Sequence, residues 1–312
     1  MTQVTVTIPA TSANLGPGFD CLGLALALHN RITFTAISAA LSAGVPPAPS
    51  TPPLTITVSG VDAHKVATDE SNLVYQCANI IFDKVGQRPS PLHIHQENNI
   101  PVGSGLGSSS TAVLGGMLAA NELGGRPFTP AQILQFATEK EGHLDNVAPA
   151  LYGGLVLGVV HDAGLHIERF AVPNLRVVVV LPDFHLLTSE ARAALPTQIA
   201  RHDAIFNAAR TPLLIRALQT ADYDLLAIAM QDRLHQPYRL PLIPGMAAAF
   251  AAAQAAGASG VALSGAGPSL IAFAPDGHER IGAAVTAVFA QHGLTSRTWV
   301  LAVDNDGVRL GD

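Results

Sequence analysis

Pro101-Val102-Gly103-Ser104-Gly105-Leu106-Gly107-Ser108-Ser109-Ser110-Thr111 is the stretch on which the reading of this chain turns. Three glycines stand at alternate positions directly ahead of the helical run 112–123. Glycine lets a backbone take positive φ and come close to a ligand. The helix start that follows offers free N–H groups and about half a positive charge. Four consecutive hydroxyls add donors at the same mouth, a combination suited to cradling a polyphosphate. A Gly/Ser helix entry with a serine cap has the same composition, so the stretch alone leaves both readings open.

Several classes of function are excluded around it. The chain has three lysines, Lys65, Lys84 and Lys140, and none follows a glycine, so no Walker phosphate loop is present. GxSxG, HExxH and a strict GxGxxG are absent as well. Seventeen basic residues against 23 acidic ones, a net charge of −6, argue against a nucleic-acid partner. Two cysteines, Cys21 and Cys77, form no disulfide framework or CxxC knuckle, which fits a cytoplasmic protein. No apolar run approaches the roughly 20 residues of a spanning helix, and residues 1–4 do not resemble a secretory leader, so no membrane association is expected. With 312 residues, 48% of them hydrophobic, the chain can bury a large core and should hold roughly two domains.

Alternation and β-branching predict strands at 4–8, 31–37, 54–58, 92–96, 155–160 and 176–181, and helices at 72–85, 112–123 and 131–140. Residues 9–20 read as a loop around Gly16, Pro17 and Gly18, and residues 38–53 as a Pro/Ala/Ser-rich surface excursion. His93 and His95 share a strand face but lack a third metal ligand. Ala-rich helices are expected at 189–195, 201–220, 222–235 and 244–256. Short strands at 260–263 and 270–274 flank a Ser/Gly turn, and a helix at 278–292 and a strand at 297–303 follow. Strands alternating with helix pairs suggest an α+β second domain.

Taken singly, the turns at 12–20, 142–149 and 264–269 could be ordinary. Their order along the chain decides otherwise. Residues 9–20 with Asn14, Gly18, Phe19 and Asp20, then 101–110, then 263–269 with Ser264, Gly265, Gly267 and Ser269, resemble the three motifs of the GHMP small-molecule kinases. That superfamily is named for galactokinase, homoserine kinase, mevalonate kinase and phosphomevalonate kinase. Residues 18–20, 142–149, 188–192, 237–239 and 242–245 bring the resemblance closest to the homoserine kinases. It spans nearly the whole chain.

The resemblance implies an α+β, two-domain fold: residues 1–165 like ribosomal protein S5 domain 2 and residues 166–312 ferredoxin-like. It implies ATP over residues 101–111, with Mg²⁺ held by Ser109 and an acidic side chain. Glu139 matches the metal-binding glutamate by position, with Glu141 two residues away. The implied substrate is L-homoserine. Arg192 and Arg239 would take its carboxylate, as a planar guanidinium suits that group. Asp20 would take the ammonium, with Asn14 and Gly265 beside it, and Asn146 would touch the attacking hydroxyl. Phosphoryl transfer through a loose transition state needs little base catalysis, so Asn146 is expected to orient the hydroxyl, and Asp145 is the alternative as base. A homodimer is also implied. The competing readings are a relative acting on mevalonate or a sugar, whose substrates lack the ammonium, and a catalytically silent nucleotide-binding regulator.

Overall fold

The computed structural model describes residues 1–36, 53–162 and 164–311. The proline-rich excursion therefore lies almost wholly outside the described residues.

Two sheets organise the chain. The first is built from β1 (Thr2–Ala13), β2 (Leu22–Ala36), β3 (Leu54–Gly60), β4 (Leu92–Asn98), β5 (Leu155–His161), β6 (Gly164–Phe170) and β11 (Arg309–Gly311). Its order is β11-β1-β2-β4-β3, with β5 branching from β2 and β6 pairing β5. Among the described residues, only β3 and β4 run parallel. Helices α1 (Leu73–Val85), α2 (Ser108–Leu123), α3 (Pro130–Glu141) and α4 (Val147–Tyr152) supply the apolar side chains that pack with Val6, Ile8, Ile32, Phe34 and Ile94 of this sheet.

The second sheet has the order β10-β7-β9-β8, from β7 (Arg176–Pro182), β8 (Gly260–Leu263), β9 (Leu270–Phe273) and β10 (Ser296–Ala302). Strand side chains alternate in direction, and β7 uses both faces. Val178 and Val180 pack with α9 (Met246–Ala255) and α10 (His278–Gln291). Val177 and Val179 face α6 (Arg201–Thr220), α7 (Tyr223–Ala229) and the Leu22, Leu24 and Leu26 row of β2. That shared core joins the two sheets and sets the loops between them. Among the described residues no helix is long and apolar enough to cross a membrane.

Two expected elements change. Strand β1 continues through Pro9 to Ala13 instead of ending in a loop, and the register shift between Pro9 and Ala10 accommodates the proline. The stretch 222–235 is not one helix. Asp232 accepts backbone N–H bonds from Leu234, His235 and Gln236, ending α7 at Ala229 and opening the short α8 (Gln236–Arg239). The expected division at 165/166 falls inside β6. The chain end, as β11, returns to pair with β1.

Candidate active site

Gly103, Gly105 and Gly107 adopt φ of 68°, 78° and 71°, and α2 begins at the next residue. Gly107 has no side chain to cap the helix, and its carbonyl already accepts from Thr111 N at 3.0 Å. The N–H groups of Ser108, Ser109 and Ser110 therefore precede the first helical bond and remain available to an anion. Ser264 Oγ donates to the Gly105 carbonyl at 2.7 Å, and Ser269 N donates to Ser104 O at 3.3 Å. Thr11 N donates to Leu106 O, and Gly265 N to Ala13 O, both at 3.1 Å. Three segments remote in sequence are thus tied into one floor.

Above that floor lies a cavity of about 500 Å³. It is lined by Asn14, Asp20, Gly103, Ser104, Gly105, Gly107, Ser108, Ser109, Ser110, Asp145, Asn146, Arg192, Arg239 and Gly265 of the expected set. A second cavity of about 390 Å³, lined by Asn30, Lys65, Asn72, Asn98 and Val102, shares Gly103, Ser108 and Ser109 with it. Leu106 is fully buried in the apolar core instead, and Pro101 borders a separate cavity. Thr111 is buried too: its Oγ1 donates to Ser108 O and accepts from Asn30 Nδ2, so its hydroxyl does not face a ligand.

The acidic partner of Ser109 is Glu141. Ser109 Oγ donates to Glu141 Oε1 at 2.6 Å and Ser110 Oγ to Oε2 at 3.2 Å. Glu139 instead accepts from Gln135 on the exposed side of α3 and does not line the cavity. Two residues along a helix are about 200° apart around its axis, so only one of the two glutamates can face α2. Of the two glutamates, Glu141 is the one beside Ser109. A hydroxyl and a carboxylate beside free space are hard oxygen donors of the kind Mg²⁺ prefers when phosphates and waters complete its shell. The Ser109–Glu141 pair fits that ion.

At the other end, Arg192 on α5 (Thr188–Ala193) donates two bonds to Asp20, at 2.9 and 3.0 Å. This fork holds the Arg192 guanidinium above its ordinary value. Asp20 N donates to Asn14 Oδ1, and Asn14 Nδ2 donates to the Gly265 carbonyl. Arg239 is 1% exposed, and burial pushes its guanidinium downward. The two arginines expected to act as a pair therefore differ, since one is neutralised by a carboxylate and the other is not.

Asn146 accepts a bond from Thr11 Oγ1 at 2.8 Å through Oδ1, which leaves its NH₂ group as the free end. Asp145 is buried, with Oδ1 2.9 Å from His143 Nδ1. The two atoms are too poorly aligned for a hydrogen bond, and neither has another partner. The close approach of the Asp145 carboxylate to the imidazole, and then its charge, push His143 up despite burial. His143 and Lys140 both line the cavity and were not singled out from sequence. The signals were present: His143 sits two residues before Asp145, and Lys140 is one of three lysines.

Residues 72–154 match the GHMP kinases N terminal domain model and residues 214–291 the GHMP kinases C terminal model. A homoserine kinase of Microchaete diplosiphon is 45% identical over 311 residues, covering 98% of this chain and 97% of that protein. The chain belongs to the homoserine kinase family. Another member, from Moorella thermoacetica, is 42% identical over 303 residues, covering 97% of this chain and 98% of its own length. A solved member, homoserine kinase from Cytophaga hutchinsonii, superposes with a TM-score of 0.85 at 31% identity, covering 100% of this chain and 98% of that one. Leishmania major mevalonate kinase, at 16% identity and TM-score 0.71, shares the fold, covering 95% of this chain and 94% of its own. The α+β two-sheet architecture is that of the GHMP kinases.

Proposed function

We propose that the protein transfers the γ-phosphoryl group of ATP to the side-chain hydroxyl of L-homoserine, giving O-phospho-L-homoserine. One observation carries the reading. A single cavity has a glycine-loop helix start at one end and a carboxylate with two guanidiniums at the other. The adjoining 390 Å³ cavity is the place for the nucleoside, since it shares the loop. The triphosphate then lies along the N–H groups of Ser108–Ser110. Ser109 and Glu141 would hold Mg²⁺, which neutralises phosphate charge when bound with the nucleotide.

The substrate's ionic groups replace an ion pair already in place. Its ammonium goes to Asp20 and its carboxylate to Arg192 and Arg239, so no charge is left unpaired when the Arg192–Asp20 fork opens. Asn146 has its oxygen engaged by Thr11 and its NH₂ free, so it donates to the substrate oxygen and orients it. The group is not a base, and positioning with charge neutralisation suffices for a loose transition state. The hydroxyl proton leaves to phosphate or solvent. A cytoplasmic homodimer belongs to the same reading on the family resemblance, and light scattering of the purified protein tests the dimer.

ADP release should be measured with L-homoserine, mevalonate, a hexose and 3-amino-1-propanol. L-homoserine should be turned over, and the amino alcohol without the carboxylate should react at least tenfold more slowly, a loss on the order of 1.4 kcal/mol. Turnover of mevalonate in preference to homoserine would overturn the reading, and nucleotide binding without any turnover would favour a silent regulator.

A further inference from the structure

Arg239 borders the cavity while being almost completely buried, so its orientation depends on what it touches inside the protein. Nε donates to the Ala191 carbonyl at 3.3 Å. Nη1 donates to His235 Nδ1 at 3.2 Å and to the Gly265 carbonyl at 3.4 Å. His235 has no exposure, and its Nε2 lies 2.9 Å from the carbonyl of Gly16. A carbonyl only accepts and a guanidinium only donates. The imidazole must therefore carry one proton, on Nε2, and present Nδ1 as an acceptor. Phe19 stacks on the ring at 5.0 Å with the planes 21° apart, and the guanidinium of Arg239 stands 5.0 Å from the same Phe19 centroid.

The surroundings agree with a neutral ring. Asp232 Oδ2 is 3.6 Å from Nε2, but that carboxylate is already engaged by three backbone N–H groups and by Asn207 Nδ2. Burial pushes the imidazole down, with Arg239 acting in the same direction and Asp232 and Asp20 opposing it.

We infer that His235 is a positioning residue for carboxylate recognition: as the Nε2–H tautomer it aims Arg239 at the cavity without cancelling its charge. A carboxylate in its place would orient the guanidinium and neutralise it, as Asp20 does for Arg192. The neutral acceptor leaves a full positive charge at the pocket wall. Through Gly16 it also ties Arg239 to the loop that carries Asp20, so the carboxylate and ammonium subsites keep a fixed separation. This rests on the reading above that the substrate bears a carboxylate.

The test compares wild type, His235→Phe and His235→Gln in steady-state kinetics. Phenylalanine keeps an aromatic ring to stack on Phe19 but offers no acceptor. Glutamine can accept from Arg239 and donate to Gly16. His235→Phe should raise KM for L-homoserine about tenfold or more, as expected for a buried donor left unpaired. KM for ATP and kcat should stay within about threefold, and His235→Gln should recover most of the loss. An unchanged homoserine KM in His235→Phe, or equal losses in both variants, would overturn the inference. Should His235→Phe fail to fold, ¹⁵N NMR of the wild type judges it. A proton on Nε2 with bare Nδ1 at neutral pH is expected, and a proton on Nδ1 would overturn it. If wild type does not turn over L-homoserine, the substrate reading fails, and the tautomer measurement still decides what His235 does.

Discussion

Replacing Gly105 by alanine probes the joint between the glycine loop 103–107 and the 264–269 turn. Gly105 has φ +78°, and holding an L-residue there costs about 1–2 kcal/mol. The added methyl would also stand 2.7 Å from the Gly267 carbonyl oxygen and closer still to that of Ser264, both backbone atoms that cannot rotate aside. Moving that turn breaks the bonds from Ser264 Oγ to Gly105 O and from Ser269 N to Ser104 O, each worth about 0.5–1.5 kcal/mol. The total loss should be about 2–5 kcal/mol. Gly103→Ala is the control. Its φ is +68°, yet the nearest atom to the new methyl is the His185 ring at 3.8 Å, so only the conformational cost of about 1–2 kcal/mol remains. Urea denaturation measures both variants. The effect of Gly105→Ala should reach the substrate end as well, because the Gly265 carbonyl accepts from Asn14 and Arg239. KM for L-homoserine should rise along with KM for ATP. Equal stability of the two variants, or a Gly105→Ala protein with unaltered kinetics, would refute the reasoning.

The bond between Ser109 and Glu141 predicts that Glu141→Gln lowers kcat/KM roughly tenfold or more and raises the Mg²⁺ requirement, whereas Glu139→Gln stays within about twofold. A magnesium titration of both variants checks it, and the reverse order would point to Glu139. Asn146→Ala should reduce kcat by about 100-fold, the scale of losing one well-placed donor, and Asp145→Asn by less than about tenfold. Abolished turnover in Asp145→Asn, with a carboxylate-like pH profile, would point to base catalysis instead. His143 is held above its ordinary value of about 6.5 by Asp145, so its contribution to stability is fully present below that pH and is lost as pH rises through the folded value. Thermal midpoints of wild type should therefore fall relative to His143→Gln on raising the pH above about 6.5, and parallel curves would show that the contact contributes nothing.

Much of the site was legible because it is encoded in local backbone chemistry. Gly103, Gly105 and Gly107 stand where positive φ is required, and Gly142 ends α3 in the left-handed conformation at φ 81°. Such positions are written into residue type, since few side chains tolerate them. The motif order 9–20, 101–110 and 263–269 likewise indicated which segments meet. Helix α1 was expected at 72–85, and the structure adds that Asn72 caps it by accepting from Tyr75 N.

What only the folded chain decided depends on phase and on distant partners. Sequence offered Glu139 and Glu141 with equal chemistry, and the packing phase of α3 against α2 turns one inward and the other to solvent. Thr111 belongs to the hydroxyl run, yet Asn30, 81 residues away, draws its side chain inward. Strand β1 outlasts Pro9 because β2 pairs with it beyond the bulge, and β11 is a strand because β1 offers an edge across the length of the chain. Asp20 and Arg192 are 172 residues apart and His235 and Gly16 are 219, and a single chain carries no local record of either contact. Residue type determined that a phosphate cradle and a charged pocket could exist. Tertiary packing determined which charges remain free in it, because burial and pairing are properties of neighbours in space.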